Sequence, residues 1–175
     1  MPRPRPALMV VLSLAIAAAG AALFFVLPAG EESGPPPARD LTTALAEVGT
    51  AQAPFRGLTE VELALGDDCV RLAVADSEAE RGQGLRGVTE LGPYDGMLFV
   101  NQADTSTAYT MSGVTVPLDI GWYASDGEPA GRAEMEPCPE GGPGCPLYSA
   151  DGPYRFAVET LGGGLPSGSL GACPS

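Results

Sequence analysis

The sequence predicts a mainly β domain, an α+β unit with one short helix and the outline of a small barrel or sandwich, placed after an N-terminal apolar helix. Three observations predict it. Apolar residues alternate with polar ones in several short runs, turn residues punctuate those runs, and a single helix-start signal interrupts them. Together they give about seven or eight short strands and no internal repeat.

In chain order, the apolar helix comes first. Arg3 and Arg5 precede an uncharged apolar run over residues 7–27. That length is enough to span a bilayer as an anchor, and longer than the usual apolar stretch of a cleaved leader. The arginines before it set the N-terminus inside and the domain outside. The alternative is removal of residues 1–28 as a signal peptide, for which cleavage after Ala29 is the better site, because cutting at Ala19-Gly20-Ala21 would leave Leu23-Phe24-Phe25-Val26 at the new terminus. Either way the domain is extracytoplasmic, membrane-anchored or secreted.

Residues 29–57 read as a linker. Gly30-Glu31-Glu32-Ser33-Gly34-Pro35-Pro36-Pro37 has nothing to bury and its proline run favours an extended chain. Residues 41–48 carry a weak helical pattern. The domain is then residues 58–175.

Val61, Leu63 and Leu65 alternate with smaller or polar residues, as do Val70, Leu72 and Val74, with Gly66-Asp67-Asp68 as the turn between two half-buried strands. Ser77-Glu78-Ala79-Glu80 is a capping box that starts a short helix, and Gly82 and Gly84 limit its length. Residues 96–100 form an apolar run suited to a buried strand. Residues 108–112 and 118–123 are two more strands, the second with Leu118, Ile120 and Trp122 on one face. Ser125-Asp126-Gly127-Glu128 is a hairpin turn into a strand through residues 131–133, and residues 154–159 make the last alternating strand.

Composition removes many chemistries. The chain has no histidine, and all nine of its Lys+Arg residues are arginine. That excludes a Ser-His-Asp triad, a Cys-His dyad, imidazole ligation of metals, a lysine Schiff base and a Walker-type lysine. From residue 58 on, five arginines face 18 acidic residues, which accounts for the whole net charge of −13. Such a surface repels phosphate backbones, so nucleic acid is not an expected partner. No cofactor is called for by the residue types present.

All four cysteines, Cys69, Cys138, Cys145 and Cys173, follow the apolar run. An even number in an exported chain favours two disulfides over a zinc site, the more so without a Cys-x-x-Cys spacing. Of three possible connectivities, Cys138–Cys145 with Cys69–Cys173 is preferred. The first pair flanks Pro139-Glu140-Gly141-Gly142-Pro143-Gly144, which can fold back on itself, and the second ties the domain's start to its end. A loop of about 100 residues closed this way contributes roughly 4–5 kcal/mol in the chain-entropy model.

Glu80-Arg81-x-x-Gly84-Leu85-Arg86, Gly96-Met97-Leu98-Phe99, Met111 before Pro117-Leu118-Asp119-Ile120, then Asp126-Gly127 and a late Glu159, follow one another in a recognisable order. The chain resembles the bacterial and archaeal family known as domain of unknown function 192, over about residues 60–172. Met135-Glu136-Pro137-Cys138 and Cys145-Pro146-Leu147-Tyr148 are similar to exported members with two cysteine pairs. The resemblance implies a compact β-rich fold and no established activity. One departure stands out: relatives often carry Phe-Trp before the methionine matched by Met111 and Lys-Asn-Thr after it, where this chain has Tyr109-Thr110 and Ser112-Gly113-Val114.

Five residues are candidates for ligand binding: Arg81, Arg86, Tyr109, Met111 and Asp119. Arg81 and Arg86 flank a glycine-rich turn and suit an anion clamp; the plainer role is a salt bridge to Asp119 or Glu159, or surface charge. Asp119, inside an apolar strand, is either a tuned acid or a residue on the strand's polar face. Met97, Met111, Tyr109 and Trp122 line an apolar pocket or are simply core. Asp67-Asp68 and residues 134–140 are acidic but lack the ligand spacing of a calcium loop.

The function these features favour is a non-enzymatic cell-envelope domain that binds a small ligand or an envelope protein, held to the membrane by its N-terminal helix. The alternatives are a carboxylate- or metal-dependent, hydrolase-like enzyme using Asp119 or Glu159 with Arg81, and a purely structural domain.

Overall fold

The computed structural model describes residues 40–174; the apolar run of residues 7–27 and the proline-rich segment lie outside the described residues. Among the described residues, no helix is long and apolar enough to cross a membrane.

The domain is mainly β, as the alternating runs predict. Its strands are β1 (Gly49–Thr50), β2 (Thr59–Leu65), β3 (Asp68–Ala75), β4 (Gly96–Thr105), β5 (Tyr109–Thr110), β6 (Leu118–Tyr123), β7 (Pro129–Met135), β8 (Leu147–Tyr148), β9 (Tyr154–Leu161) and β10 (Leu170–Gly171). Two short helices, α1 (Leu41–Ala46) and α2 (Glu78–Gln83), complete it. One eight-stranded sheet runs β1-β2-β3-β4-β9-β6-β7, with β10 also on β2; it does not close into a barrel. β5 and β8 pair separately as a two-stranded ribbon.

The packed unit begins earlier than residue 58. α1 is capped by Asp40, whose side chain accepts from the Thr43 amide at 2.7 Å. β1 pairs with β2, and Ala51 and Phe55 are buried. Tyr94 anchors this stretch: its hydroxyl accepts from the Gln52 amide at 2.6 Å and donates to Glu60 at 2.5 Å.

Strand parity sorts the side chains into two cores on opposite faces of the sheet. Val61, Leu63, Leu65, Val70, Leu72, Val74, Leu98, Phe156 and Val158 fall in one; Ala73, Met97, Phe99, Leu118, Ile120, Trp122 and Ala157 fall in the other. This changes the expectation for the central strands. β6 is buried along its whole length, so the face opposite Leu118, Ile120 and Trp122 is a second interior rather than a solvent-facing side.

β3 and β4 are parallel neighbours, Leu72 opposite Gly96 through Ala75 opposite Phe99, and α2 lies in the crossover between them. The capping box forms as its sequence predicts: Ser77 accepts from the Glu80 amide at 3.2 Å while Glu80 accepts from the Ser77 amide at 2.9 Å. Gly84 ends the helix at φ 48°, a left-handed conformation suited to glycine.

Both disulfides are present, Cys69–Cys173 and Cys138–Cys145, and no described cysteine is free. Bonds of this kind belong to an oxidising environment.

Candidate functional site

A cleft of about 490 Å³ opens where the crossover meets the sheet. α2 and the turn after it supply Arg81 and Arg86, β4 supplies Phe99, β5 supplies Tyr109, and β9 supplies Tyr154 and Glu159. The capping box and Gly84 fix where the helix starts and stops, and so where the two arginines stand.

Neither arginine is neutralised by a carboxylate. The ion pairs among the described residues join Arg71 to Glu60 and Arg155 to Asp104, so the expected salt bridges from Arg81 or Arg86 to Asp119 or Glu159 do not form. Backbone carbonyls hold them instead. Arg81 donates through Nη1 to the Asp76 carbonyl and, at 2.9 Å, to that of Val100. Arg86 donates through Nε to the Ser112 carbonyl at 2.7 Å and through Nη1 to the Gly82 carbonyl. The Nε–Nη2 edge of Arg81 and Nη2 of Arg86 have no partner among the described residues.

Glu159 is the other charge-bearing group at the cleft. β9 pairs it with Met97 on β4 and with Ile120 on β6, in the middle of the sheet. It is 6 % exposed, and its carboxyl makes no hydrogen bond among the described residues but stays open to the solvent of the cleft, unlike Trp122 Nε1 and Thr160 Oγ1, which are buried without a partner. Burial pushes its pKa up to about 8, against the opposing pull of the Arg86 charge, so the carboxyl keeps its proton at neutral pH.

An aromatic wall completes the site. The Tyr109 ring packs edge-on against Phe99 at 5.4 Å between centroids and against Trp122 at 6.1 Å, and is tilted on Tyr154 at 6.2 Å. Tyr154 donates to the Thr107 carbonyl at 2.6 Å. Burial raises the pKa of the Tyr109 hydroxyl, with the Tyr154 and Glu159 charges adding to it. Both phenols are therefore neutral donors.

Of the five sequence candidates, Arg81, Arg86 and Tyr109 come together at this cleft. Met111 does not line it; it is buried in the core with Met97 and Trp122. Asp119 is buried on the opposite face, where Oδ2 accepts from the Gly163 amide at 2.7 Å and closes the turn after β9. A paired role for Asp119 and Glu159 is thus ruled out by parity, since the sheet separates them. Glu159, Phe99 and Tyr154 are cleft residues that the sequence reading left out of the binding set. The sequence signal for Glu159 is an acid that continues the apolar run Phe156-Ala157-Val158.

The acidic stretches behave as surface: Asp67, Asp68, Glu134, Glu136 and Glu140 are exposed. No group of His, Cys, Asp and Glu among the described residues has the arrangement to hold a metal ion. What the cleft can offer is a charged donor edge, a protonated carboxyl and aromatic surface.

Comparison with known proteins bears on the fold and the family. The fold is similar to a crystal structure of a protein of unknown function from Novosphingobium aromaticivorans, with a TM-score of 0.55 and 27% identity over 69% of this chain and 86% of that one. It is also similar in fold to a Sinorhizobium meliloti protein provisionally described as a transcription regulator, with a TM-score of 0.53 and 21% identity over 64% of this chain and 89% of that one. No curated protein matches. The family model of DUF192, described as an uncharacterised ACR, matches residues 61–168, more than half of the chain, and the chain belongs to that family.

Proposed function

We propose that this protein is an extracytoplasmic domain that binds a small molecule in the cleft between α2 and strands β4, β5 and β9. The observation that carries the reading is the state of Arg81. It is half-buried beside an aromatic wall, with one guanidinium edge held by backbone carbonyls and the other edge unengaged. The unengaged Nε–Nη2 edge is the side of a guanidinium that makes two parallel bonds to a planar carboxylate. The export half of the reading draws on the apolar run behind Arg3 and Arg5 and on the two disulfides.

The test is a thermal-shift screen of the full-length oxidised protein in mild detergent against sugars, amino acids, nucleotides, organic acids and organic amines. A compound that raises the melting temperature of the wild type but not of a folded Arg81→Gln variant supports the reading. If no compound in any class shifts the wild type, small-molecule binding is contradicted.

A second reading, carboxylate-dependent catalysis, draws on one observation. Glu159 is buried at the cleft with its proton retained, the condition of a general acid. It requires turnover of some substrate that Glu159→Gln abolishes; chromogenic esters and glycosides are the first panel, and equal rates in the two proteins would contradict it.

A further inference from the structure

We propose that the ligand of this cleft is a small organic monocarboxylate with an apolar or aromatic body, its carboxylate held by the open edge of Arg81 and by Nη2 of Arg86, beside the Glu159 carboxyl on the cleft wall. The inference rests on the small-molecule reading above and names the class of ligand.

The donor set carries it. Nε and Nη2 of an arginine form the side that makes two parallel bonds to a planar carboxylate, and in Arg81 that side has no partner among the described residues, while Nη1 is occupied by the Asp76 and Val100 carbonyls. Arg86 is fixed by its Nε and Nη1 bonds, which leaves Nη2 as a second donor. Glu159 is the independent observation. Its carboxyl lines the cleft, makes no hydrogen bond among the described residues and is open to water there, so a ligand oxygen can take that water's place. With its proton it can donate to that oxygen, so three groups lining one cleft suit a ligand group that only accepts.

The charge balance favours a single negative charge. The titratable groups lining the cleft are Arg81, Arg86, Glu78, Glu159 and the phenols of Tyr109 and Tyr154. With the phenols neutral and Glu159 protonated, two positive charges face the exposed Glu78 alone, a net of one. A carboxylate neutralises it. A phosphate dianion brings one negative charge more than this net positive charge neutralises, although Gln83, Asn101, Thr107 and Thr110 also line the cleft. The half-buried Tyr109 ring is the aromatic surface open to the apolar body of the ligand, and the buried Phe99 and Tyr154 back it.

Isothermal titration of the full-length oxidised protein with phenylacetate, phenylacetamide, 2-phenylethylamine and inorganic phosphate tests the class on the wild type, independent of any variant's folding. Phenylacetate is expected to bind about tenfold or more tightly than phenylacetamide, since charge-assisted bonds to both arginines are lost in the amide. Its affinity is expected to fall as pH rises past about 8, where Glu159 ionises and repels it. Arg81→Lys, which keeps the charge and loses the two-bond edge, is expected to weaken phenylacetate binding. Equal or tighter binding of the amide, the amine or phosphate overturns the class and leaves the small-molecule cleft standing. Binding of none of the four overturns the class as well, and the broad thermal-shift screen then decides whether the cleft binds anything.

Discussion

Arg86 Nε donates to the backbone carbonyl of Ser112 at 2.7 Å, and that bond joins the cleft to the Cys138–Cys145 loop. Ser112 bridges Cys138; the Gly113 amide donates to the Cys138 carbonyl at 2.9 Å, and the Cys138 amide donates to the Val114 carbonyl at 3.0 Å. The Gly142 amide, inside the disulfide loop, donates to Ser112 Oγ at 3.3 Å. The small disulfide therefore holds the segment that aims Arg86.

The two disulfides should differ in weight. Cys138–Cys145 closes a sequence separation of 7 and Cys69–Cys173 one of 104. In the chain-entropy model their removal costs about 2–3 and about 4–5 kcal/mol respectively. Urea unfolding of the Cys138→Ser/Cys145→Ser and Cys69→Ser/Cys173→Ser double variants is expected to show that order. The smaller loss should be the one that weakens binding at the cleft; equal affinities in the two variants would dissociate the loop from the site.

Glu159 gives the domain a pH dependence of definite sign. Its pKa is raised from 4.5 to about 8 on folding, so the folded state holds a proton that the unfolded chain releases. Its contribution is unperturbed below pH 4.5 and becomes increasingly destabilising up to about pH 8. Glu159→Gln removes this term. Relative to the wild type the variant should gain about 2–4 kcal/mol between acidic and alkaline pH, read from urea midpoints. A difference that stays flat across the window would mean the carboxyl is ionised in the fold.

Tyr94 fastens the stretch before residue 58 to the sheet. Its hydroxyl bonds both the Gln52 amide and Glu60, and the Arg71 guanidinium lies 5.1 Å above its ring. The Tyr94 hydrogen bond, followed by that of Arg71, holds the Glu60 carboxyl below its ordinary value of 4.5. Tyr94→Phe should lower the urea midpoint at neutral pH. The gap should narrow as pH falls through the lowered Glu60 pKa, because a depressed carboxylate stabilises only while ionised. A gap independent of pH would assign the whole effect to Gln52.

Gly96 is required by close approach. A Cβ there would lie 2.3 Å from the Glu159 backbone carbonyl oxygen, an atom that moves only with β9. Gly96→Ala should cost about 1–3 kcal/mol, as overpacking does, and should displace Glu159 from the cleft. Retention of wild-type stability would show that β4 and β9 have more freedom than this spacing allows.

Much of this fold is legible in the sequence where local chemistry decides it. The alternation in Val61-Glu62-Leu63 and Val70-Arg71-Leu72, the capping box at Ser77 and the Asp126-Gly127 turn each encode their element within a few residues. Of the three cysteine pairings the sequence allows, the preferred one forms. What the chain does not display locally is pairing between distant strands. The parallel contact of β3 with β4, and the position of β9 between β4 and β6, bury both faces of the central strands. That is why Asp119 is interior instead of on a polar side, and why Glu159 and Tyr154 join Arg81 at one cleft. β1, β8 and β10 are two residues long, too short to leave a periodic pattern. Ala51 and Phe55, within a stretch that reads as linker, are buried by the sheet they meet.

The most direct test of the cleft is the NMR spectrum of the arginine Nε–Hε groups, assigned by arginine-to-lysine replacement, recorded while phenylacetate is titrated into the full-length oxidised protein. The Arg81 resonance, whose Nε has no partner among the described residues, is expected to move most, followed by that of Arg86, while Arg132 and Arg155 stay in place. A titration in which Arg81 and Arg86 remain fixed, or in which all arginines shift alike, would contradict a ligand site built on them.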